Sequence, residues 1–395
     1  MSTVDAAAPE TGRPEKPPPP RPTAVVAMVG AGQLARMTHQ AAIALGVELR
    51  VLAGRDDEPA VRAGASHRLG SPDRLDDLRA LAAGADVVTF DHEGVDPGHL
   101  AALEAEGVPL APGAAAKLLA QDKLHARHRF AELGYPVPPF AHARTQDAVV
   151  AFGSEHGWPL VGKAPRGGYD GRGVFVLDDA AAAARVLALQ PDGLVLEPHL
   201  PIVRELAIVV ARSATGERVA YPVAETVQRD AMCREVLVPA EVEAPMAARV
   251  RDLALRLADD AQVTGLLAVE LFETPDALLI NEVALRPHNS GHYTIEGCAT
   301  SQFEQHLRAV LGWPLGLATP LAPAVATVNV VGPADGSDPT TRLRRALAVP
   351  GAHVHLYGKT PAPGRKLGHV TVLGDELEAA RRSARQAASL LEGDG

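Results

Sequence analysis

Two glutamates end apolar segments of the sequence in a way that suits metal binding. Glu270 follows the apolar run 266–269, and Glu282 follows the apolar run 278–280 with Asn281 between. If these runs are neighbouring strands, the two carboxylates lie side by side, which like-charge repulsion disfavours unless a cation sits between them. Oxygen ligands of this kind suit Mg2+ that bridges phosphates better than zinc. The pair predicts a magnesium site; the alternative is two acids facing solvent at opposite strand ends.

A segment rich in glycine and in cationic side chains lies between two further apolar runs. It spans residues 163–173, begins at Lys163 and contains Gly167, Gly168, Gly171 and Gly173. Glycines allow the unusual torsions of a loop that folds over a polyphosphate, and a lysine at a strand end supplies a fixed point charge. The segment therefore predicts a phosphate-binding lid. The alternative is a long, solvated hairpin loop.

Two other segments concentrate hydrogen-bond donors. Residues 286–292, Arg-Pro-His-Asn-Ser-Gly-His, follow soon after Glu282, and residues 364–369, Gly-Arg-Lys-Leu-Gly-His, form a basic loop near the end of the chain. The first has the density of a ligand-binding loop, although any single histidine in it is more commonly structural. A zinc site is disfavoured because the two cysteines are not spaced with the histidines as ligands. The second suits a phosphate monoester, with a solvated turn as the alternative.

A glycine-rich turn near the start of the chain is a further candidate for anion binding. Residues 30–35, Gly-Ala-Gly-Gln-Leu-Ala, follow an apolar run and precede a helical pattern, as in a dinucleotide-binding turn. The next predicted strand ends in Leu-Ala-Gly-Arg, however, without a clear acid for the ribose. Three interpretations stay open: NAD(P) binding, an anion site for another ligand at the helix N-terminus, and a purely structural turn.

The elements that must position these residues fall into three groups. Strands predicted at 24–29, 48–53 and 86–90 alternate with helices at 33–45, 74–82 and 97–106, which indicates a parallel α/β sheet. Strands then predominate at 160–163, 174–177, 194–197, 206–211, 219–225, 266–272 and 278–283, with helices chiefly at 122–133, 180–189 and 244–261, which favours antiparallel α+β layers. Strands at 326–330, 353–357 and 369–373 and a helix at 376–391 complete the chain. The predicted domains are 1–22, 23–121, 122–313 and 314–395.

Composition narrows the class of protein. The 395 residues carry a formal net charge of −10 without long blocks of one sign, which disfavours a nucleic-acid-binding surface. No apolar run approaches the roughly 18 residues of a membrane span, so no membrane partner is expected. Cys233 and Cys298 allow at most one disulfide, which fits a reducing cytoplasm. Residues 1–22 are rich in Ala and Pro and are interpreted as a disordered tail.

Taken together and in order, these segments resemble the ATP-grasp superfamily and, within it, the family of 5-(carboxyamino)imidazole ribonucleotide synthases. The motifs that carry the resemblance are residues 30–37, 167–173, 288–292, 301–308 and 364–369. The resemblance implies a Rossmann-like N-terminal domain of α/β type, a two-lobed ATP-grasp domain of α+β type and a small β-rich C-terminal domain. It implies that ATP lies between two antiparallel sheets.

The resemblance also implies roles for individual residues. The metal ligands would be Glu270 and Glu282, with Mg2+ as the ion and Mn2+ as a substitute. The implied nucleotide-binding residues are Lys123, Lys163, Gly168, Tyr169, Asp170, Gly171, Arg172, Gly173, Glu197, Pro198, His199, Leu200, Glu205, Gln228, Asn281 and Glu282. The implied substrate-binding residues are Gly32, Gln33, Leu34, Arg286, His288, Asn289, Ser290, His292, Arg365 and Lys366. A direct part in the reaction is implied for Lys163, Tyr169, Asp170, Arg286 and His288.

Three positions depart from the pattern of the family. Lys123 stands where an arginine is usual, Gln228 where a histidine is common, and Asp91 where a glutamate is expected, although Glu93 is kept.

The implied reaction joins bicarbonate to 5-aminoimidazole ribonucleotide with ATP, through carboxyphosphate, in purine biosynthesis. A homodimer, functional coupling to the mutase that uses the product, and a cytoplasmic location are implied as well. Three alternatives stay open: a formate-using transformylase of the same superfamily, an NAD(P)-linked oxidoreductase built on residues 30–35, and a catalytically silent nucleotide-binding partner.

Overall fold

The computed structural model describes residues 23–168 and 172–393. The predicted tail 1–22 lies outside the described residues, as do Tyr169, Asp170 and Gly171 of the predicted lid. The strands are β1 (Val25–Val29), β2 (Glu48–Ala53), β3 (Ser66–Leu69), β4 (Val87–Phe90), β5 (Ala141–Ala143), β6 (Leu160–Lys163), β7 (Val174–Leu177), β8 (Leu194–Pro198), β9 (Arg204–Arg212), β10 (Arg218–Ala220), β11 (Ala224–Arg229), β12 (Met232–Val238), β13 (Gly265–Glu273), β14 (Leu278–Ala284), β15 (Ala324–Val331), β16 (His353–Leu356) and β17 (Lys366–Gly374).

The helices occupy one or both faces of the sheets that these strands form. The α-helices are α1 (Gln33–Leu45), α2 (Pro59–Arg62), α3 (Leu75–Ala82), α4 (Pro97–Ala105), α5 (Ala114–Gln121), α6 (Lys123–Glu132), α7 (Gln146–His156), α8 (Ala180–Leu187), α9 (Ala244–Asp260), α10 (Thr294–Gly297), α11 (Gln302–Val310), α12 (Leu343–Ala346) and α13 (Leu377–Glu392). Short 3-10 turns occur at Asn289–Gly291 and Pro339–Arg342.

The first sheet is parallel, as the alternation of strands and helices predicts. Its order is β3-β2-β1-β4. Val26 and Met28 of β1 enter one apolar cluster, whereas Ala27 and Val29 enter the cluster on the other face. Such burial on both faces explains why the strand is a continuous apolar run. Edge strand β3, with four exposed residues, has no such signal, and the sequence analysis missed it.

The second sheet is antiparallel and carries most of the candidate site. Its order is β14-β13-β9-β11-β12-β15-β17-β16, with β10 paired to β9. Strand β15 pairs with β12, so the β-rich C-terminal part continues the sheet of the preceding part. The single strand predicted at 219–225 is wrong, because the chain forms β10 and β11 with Pro222 between them. Proline cannot donate to a ladder, which accounts for the interruption.

A smaller antiparallel sheet has the order β5-β8-β6-β7. Helices α7 and α8 pack on it through a cluster that includes Phe152 and Leu196. The predicted lid connects β6 to β7. Lys163 at the end of β6 donates to the Asn281 side chain of β14 at 3.0 Å, so the two antiparallel sheets meet at this point.

Two expectations from composition can be compared with the fold. Over residues 23–168 and 172–393, no helix combines the length and apolar character that crossing a bilayer requires. Cys233 and Cys298 are both free thiols, so no disulfide joins them.

Candidate active site

The two candidate metal ligands face each other across adjacent strands. In the antiparallel pair β13–β14, Glu270 lies opposite Glu282, and Leu271 lies opposite Ile280. Asn281 is thus an extra residue on β14, which makes a β-bulge at this point. Directly opposed residues project from the same face with Cβ atoms about 5 Å apart. The side-by-side arrangement expected from the sequence is present.

The environments of these two carboxyl groups push their pKa values apart. Burial, together with the carboxylates of Glu282 and Glu205, raises the pKa of Glu270 to about 8. Burial also acts to raise the pKa of Glu282, but the ammonium groups of Lys123, 2.9 Å from its Oε2, and of Lys163 together with His288 outweigh this, and the pKa is lowered. The Glu282 side chain is 47% exposed, so it lines an open cleft. Without a further cation, the pair holds a proton near neutral pH.

Two carboxylates suit Mg2+, whose other ligands can be phosphate oxygens and water, better than they suit a metal that is bound by protein side chains alone. Within the two described stretches of chain, no group of three or more His, Cys, Asp or Glu could hold a metal ion. The two opposed carboxylates of Glu270 and Glu282 are the oxygen ligands that this part of the cleft could offer to a metal ion. Mg2+ is commonly bound by one or two carboxylates and completed by phosphate oxygens and water.

A buried charge network holds Lys163 beside this pair. Its Nζ lies 2.8 Å from Glu197 Oε2, and Arg127 Nε lies 2.6 Å from Glu197 Oε1. Arg127 also donates to the main-chain carbonyl of Asn281 at 2.6 Å. Burial lowers the pKa of Lys163, although Glu197 opposes this. The network fixes the ammonium at the junction of the two sheets.

Sequence analysis missed part of this network. Glu197 is among the implied nucleotide-binding residues, and its side chain is locked between two cations, which the sequence did not reveal. Arg127 was not singled out. A signal was present, since Lys123 and Arg127 are four residues apart on α6 and so share a helix face.

Other implied nucleotide-binding residues lie on or next to the neighbouring strands. Glu205 of β9 and Gln228 of β11 are hydrogen-bonded to each other, and burial raises the pKa of Glu205. After β8, the backbone N–H of His199 donates to Pro159 O at 3.3 Å, and Leu200 O accepts from Ile202 N at 3.0 Å. These two backbone groups are thus already paired within the fold. Pro198 is the last residue of β8.

The base of the predicted lid is well defined on both sides of the three residues that lie outside the described chain. Ala164 N donates to Gly173 O at 2.7 Å, and Lys123 N donates to Pro165 O at 2.8 Å. A Cβ on Gly168 would come 2.6 Å from Arg172 O, so this approach requires glycine. Arg172 is exposed. The lid thus begins next to Lys123, the cation that faces the carboxylate pair, and its two ends are joined by the hydrogen bond between Ala164 and Gly173.

The donor-rich loop is held by one buried glutamine, Gln302 at the start of α11. Its Nε2 donates to His288 O at 2.7 Å and lies 3.0 Å from His292 Nδ1, and its Oε1 accepts from His288 N at 2.9 Å. A Cβ on Gly291 would lie 2.5 Å from Gln302 Oε1. Sequence analysis noted Gln302 only as part of a motif. Its role as the clamp of the loop was missed.

The ring of His288 connects this loop to the carboxylate pair. Its Nδ1 accepts from Ser290 N at 3.3 Å and lies 2.9 Å from Ser290 Oγ, and its Nε2 lies 3.4 Å from Glu270 Oε1. Because Nδ1 accepts, the neutral ring carries its proton on Nε2, facing Glu270. Burial, followed by the charge of Arg286, lowers the pKa of His288 to about 4. The ring is a neutral hydrogen-bond donor at physiological pH.

Two neighbours of His288 differ in how they are used. Asn289 has a buried Nδ2 that finds no hydrogen-bond partner among the described residues, so it is a donor available to a ligand. His292 is buried, and burial lowers its pKa. Its ring packs against Phe303 and His369, with centroid distances of 5.7 and 5.0 Å. His292 is therefore a core residue that supports the loop.

Arg286 joins the loop to the first sheet. Its Nε lies 2.7 Å from Glu93 Oε2, in the segment after β4. In the same segment, Asp91 accepts from Gly32 N at 2.7 Å, and a Cβ on Gly30 would lie 1.7 Å from Asp91 Oδ1. An internal carboxylate thus occupies the N–H that the glycine turn was expected to offer to an anion. This disfavours the dinucleotide interpretation of the turn.

The remaining predicted substrate contacts separate into surface and core positions. Gln33 begins α1, and the Leu34 side chain packs in an apolar cluster with Phe303 and Tyr357, a structural role that the sequence did not reveal. Lys366 is 9% exposed, and its charge acts on both Glu270 and His288. Arg365, by contrast, is exposed and donates to Thr360 O at 3.1 Å. Of the two predicted phosphate ligands, the structure brings Lys366 to the site.

Family models match three successive parts of the chain. The Ribonucleotide synthetase preATP-grasp domain matches residues 23–121, the ATP-grasp domain matches 128–303, and the Phosphoribosylaminoimidazole carboxylase C-terminal domain matches 326–383. The three matches together have the order that the fold displays.

Individual relatives and solved structures are similar over almost the whole chain. The N5-carboxyaminoimidazole ribonucleotide synthase of Mycobacterium tuberculosis (strain H37Rv) is 48% identical over 375 residues, which cover 93% of this chain and 87% of the relative. The synthetase from Thermus thermophilus is 35% identical with a TM-score of 0.84, covering 93% and 98%. The synthase from Aspergillus clavatus, solved with ADP and 5-aminoimidazole ribonucleotide, is 32% identical with a TM-score of 0.85, covering 94% and 99%. With this identity and coverage, the chain belongs to the N5-carboxyaminoimidazole ribonucleotide synthase family of the ATP-grasp superfamily.

Proposed function

We propose that the protein carboxylates the amine of 5-aminoimidazole ribonucleotide with bicarbonate, at the expense of ATP, to give N5-carboxyaminoimidazole ribonucleotide, ADP and phosphate. The observation that carries the proposal is the 3.4 Å approach of His288 Nε2 to Glu270 Oε1. It joins the donor-rich loop to the carboxylate pair, so that a phosphoryl group and a small substrate meet in one cleft. The ligands named for the Aspergillus clavatus synthase are of these two kinds.

ATP would be bound with its phosphates at the junction of the two antiparallel sheets. Lys163 and Lys123 supply positive charge there, and Lys123 would exchange its contact with Glu282 for one with phosphate. Glu270 and Glu282 would hold Mg2+, or Mn2+ in its place. When bound, the ion neutralises charge on the phosphates and relieves the repulsion between the two carboxylates. Glu205 and Gln228 would contact the ribose side of the nucleotide.

The reaction proceeds in two displacements. A bicarbonate oxygen attacks the γ-phosphorus, the bond to the bridging oxygen breaks, and ADP leaves with that electron pair. The product is carboxyphosphate. The amine nitrogen then attacks its carbon, the carbon–oxygen bond breaks to release phosphate, and the amine gives up a proton. The protein contributes mainly position and charge, with Lys163 and Arg286 at the two ends of the cleft.

The ribonucleotide would lie on the loop of residues 286–292. The open Nδ2 of Asn289, the guanidinium of Arg286 and the Nε2–H of His288 are donors for it, and Ser290 holds His288 in place. Lys366, with Arg365 at the surface, would hold its phosphate. Tyr169 and Asp170 would close the lid over both substrates and keep water from the anhydride. Gly32 and Gln33 would border the site on the first domain.

The test is phosphate release with ATP and 5-aminoimidazole ribonucleotide, with and without bicarbonate in degassed buffer. Carboxylation requires that release depends on both the ribonucleotide and bicarbonate. Formate with glycinamide ribonucleotide is the control for the transformylase of the same superfamily. Release with that pair, and none with bicarbonate, would contradict the proposal.

Three further predictions accompany the function. We expect a homodimer, functional coupling to the mutase that consumes the product, and a cytoplasmic location. The predicted domain limits at 121/122 and 313/314 also remain predictions. Sedimentation equilibrium tests the first, and a change in product transfer when purified mutase is added tests the second.

A further inference from the structure

A buried lysine behind the candidate substrate site has no part in the proposed mechanism. Lys117 on α5 is 1% exposed, and its Nζ donates to His92 O at 2.8 Å and lies 4.3 Å from the centroid of the Phe90 ring. A buried ammonium carries a large desolvation cost and persists only where it is paired or hydrogen-bonded. Burial lowers the pKa of Lys117 to about 8. The burial of this ammonium, with its desolvation cost, therefore requires an explanation.

Lys117 acts together with a second side chain on the same face of α5. Gln121, one helical turn later, donates through Nε2 to Glu93 O at 2.7 Å and to Val95 O at 2.5 Å. Residues four apart lie one above the other on a helix. The two side chains thus fasten three backbone carbonyls of the segment 92–95, those of His92, Glu93 and Val95, to α5.

The segment that α5 holds carries the partner of Arg286. Glu93 Oε2 lies 2.7 Å from Arg286 Nε. Burial acts to raise the pKa of Glu93, but Arg286 and Lys117 together outweigh it and the pKa is lowered. The charged groups that face Lys117 are Glu93 and Asp91, which favour its ammonium, and Arg286, which opposes it. Lys117 is thus one of two cations that keep Glu93 ionised.

We propose that Lys117 is a positioning residue for the ribonucleotide: it fixes residues 92–95 so that Glu93 holds the guanidinium of Arg286 towards the substrate. Lys117 does not touch the substrate. The inference rests on the proposed function, since it takes Arg286 to be a substrate contact. According to this proposal, α5, a helix outside the sheets that would bind ATP, contributes to the affinity for the ribonucleotide but not to the affinity for ATP.

The experiment compares three variants of the full chain in steady-state kinetics. Lys117→Met keeps the length of the stem without the charge or the donor, Lys117→Gln restores a donor without charge, and Gln121→Leu removes two neighbouring hydrogen bonds without touching a charge. Lys117→Met is expected to raise the KM for the ribonucleotide about tenfold, because residues 92–95 lose an anchor and Arg286 is held less firmly towards the substrate. The KM for ATP should stay within about twofold, because ATP binds elsewhere.

The pH profile separates positioning by charge from general support of the fold. Below about pH 8 Lys117 is an ammonium, and above it an uncharged amine. The affinity of the wild-type protein for the ribonucleotide should therefore fall as pH rises through 8. This limb should be absent from both Lys117 variants and present in Gln121→Leu, whose KM is raised at every pH. Lys117→Gln should recover part of the KM at pH 7.

Each other outcome has a distinct meaning. A Lys117→Met protein with wild-type KM and pH profile overturns the inference and leaves the carboxylation intact. Equal increases in both KM values, with the pH limb unchanged, overturn it as well, because they indicate a structural role only. If Lys117→Met does not fold, as shown by its thermal unfolding, the same criteria apply to Lys117→Gln. A wild-type protein that does not consume the ribonucleotide overturns the proposed function itself.

Discussion

The two ends of the candidate site differ in how completely their polar groups are paired. At the donor-rich loop, Gln302 contacts His288 and His292 through short hydrogen bonds, and Ser290 occupies Nδ1 of His288. At the carboxylate end, Glu270 faces Glu282 directly, and its pKa is raised to about 8 by burial and neighbouring carboxylates. The loop is organised without a ligand, whereas the carboxylate pair is completed only by a cation.

This difference separates residues that stabilise the fold from residues that serve binding. Loss of a group from the loop leaves buried partners unsatisfied and costs stability. Loss of a carboxylate from the pair relieves like-charge repulsion, so it should cost function and little or no stability. Variants at the two ends should therefore fail in opposite ways.

The largest effect is expected for Glu282→Gln. The change keeps the shape of the side chain and removes a metal ligand, so ATP turnover should fall by about 10^3-fold or more. The unfolding midpoint should change little, because only the ion pair with Lys123 in an open cleft is lost. ADP release and thermal unfolding measure the two quantities. Glu273→Gln, at the far end of β13 beside Arg204, is the matched control and should keep its activity. An active Glu282→Gln protein would refute the metal role.

The opposite failure is expected for Gln302→Leu. Three polar groups of His288 and His292 lose a partner, so the free energy of unfolding should fall by about 2–4 kcal/mol and the KM for the ribonucleotide should rise about 10- to 100-fold. Substrate kinetics and denaturant unfolding measure these changes.

Gln305→Leu on the same helix is a close control for Gln302→Leu. Gln305 is equally buried and bonds both backbone groups of Gly316 at 2.7 Å, away from the site. It should lose similar stability with an unchanged KM. If both variants alter the KM alike, the loop is not specifically organised by Gln302 and the contrast between the two ends fails.

The third prediction concerns pH and the cation. Metal-free Glu270 keeps its proton up to about pH 8, above its ordinary range, so bound Mg2+ must displace that proton. The affinity for Mg2+ in the presence of ADP should rise by about tenfold per pH unit below 8 and level off above it. Calorimetry in buffers of different ionisation enthalpy measures both affinity and proton release.

The same pKa shift fixes the sign of the stability change. Because the folded protein binds the Glu270 proton more tightly than the unfolded chain, the stability of the metal-free protein should decrease as pH rises from the ordinary glutamate range through 8. Glu270→Gln should remove this slope. If the stability of the metal-free protein does not change over this pH range, Glu270 is not kept protonated by its burial and the neighbouring carboxylates.

Local pattern was sufficient for most of the strands and for the carboxylate pair, although it missed β3, β5 and β12. Apolar runs that end in Ala-Val-Glu and in Asn-Glu gave both strands, and their adjacency gave the opposition of Glu270 and Glu282. The parallel first sheet followed from alternation in the same way. These features depend on neighbours in sequence and on burial, which periodicity records.

Partners that come from distant parts of the chain were not predictable in this way. Arg127 meets Asn281 across 154 positions, and Arg286 meets Glu93 across 193. No periodic signal reports such pairs. The carboxylate of Asp91, which accepts from Gly32 N in the glycine turn, also comes from a distant position, 59 residues along the chain. The sequence of the turn alone suggested an external anion. Pairing between distant parts of the chain is set by tertiary packing, so the structure was needed to find it.

The smallest effect is expected for Arg365→Ala, which tests how far the substrate-binding end of the site extends. Arg365 is exposed, so solvent and salt screen its charge, and its loss should raise the KM for the ribonucleotide only about two- to threefold. Lys366→Ala is the matched comparison, because Lys366 is buried beside Glu270 and His288, and a rise of about tenfold is expected there. Both effects are read from ribonucleotide kinetics at about 50 and about 500 mM salt, since only the Arg365 effect should fade as screening increases. An Arg365→Ala protein that changes the KM for ATP alone would place this loop at the nucleotide end and reverse the assignment.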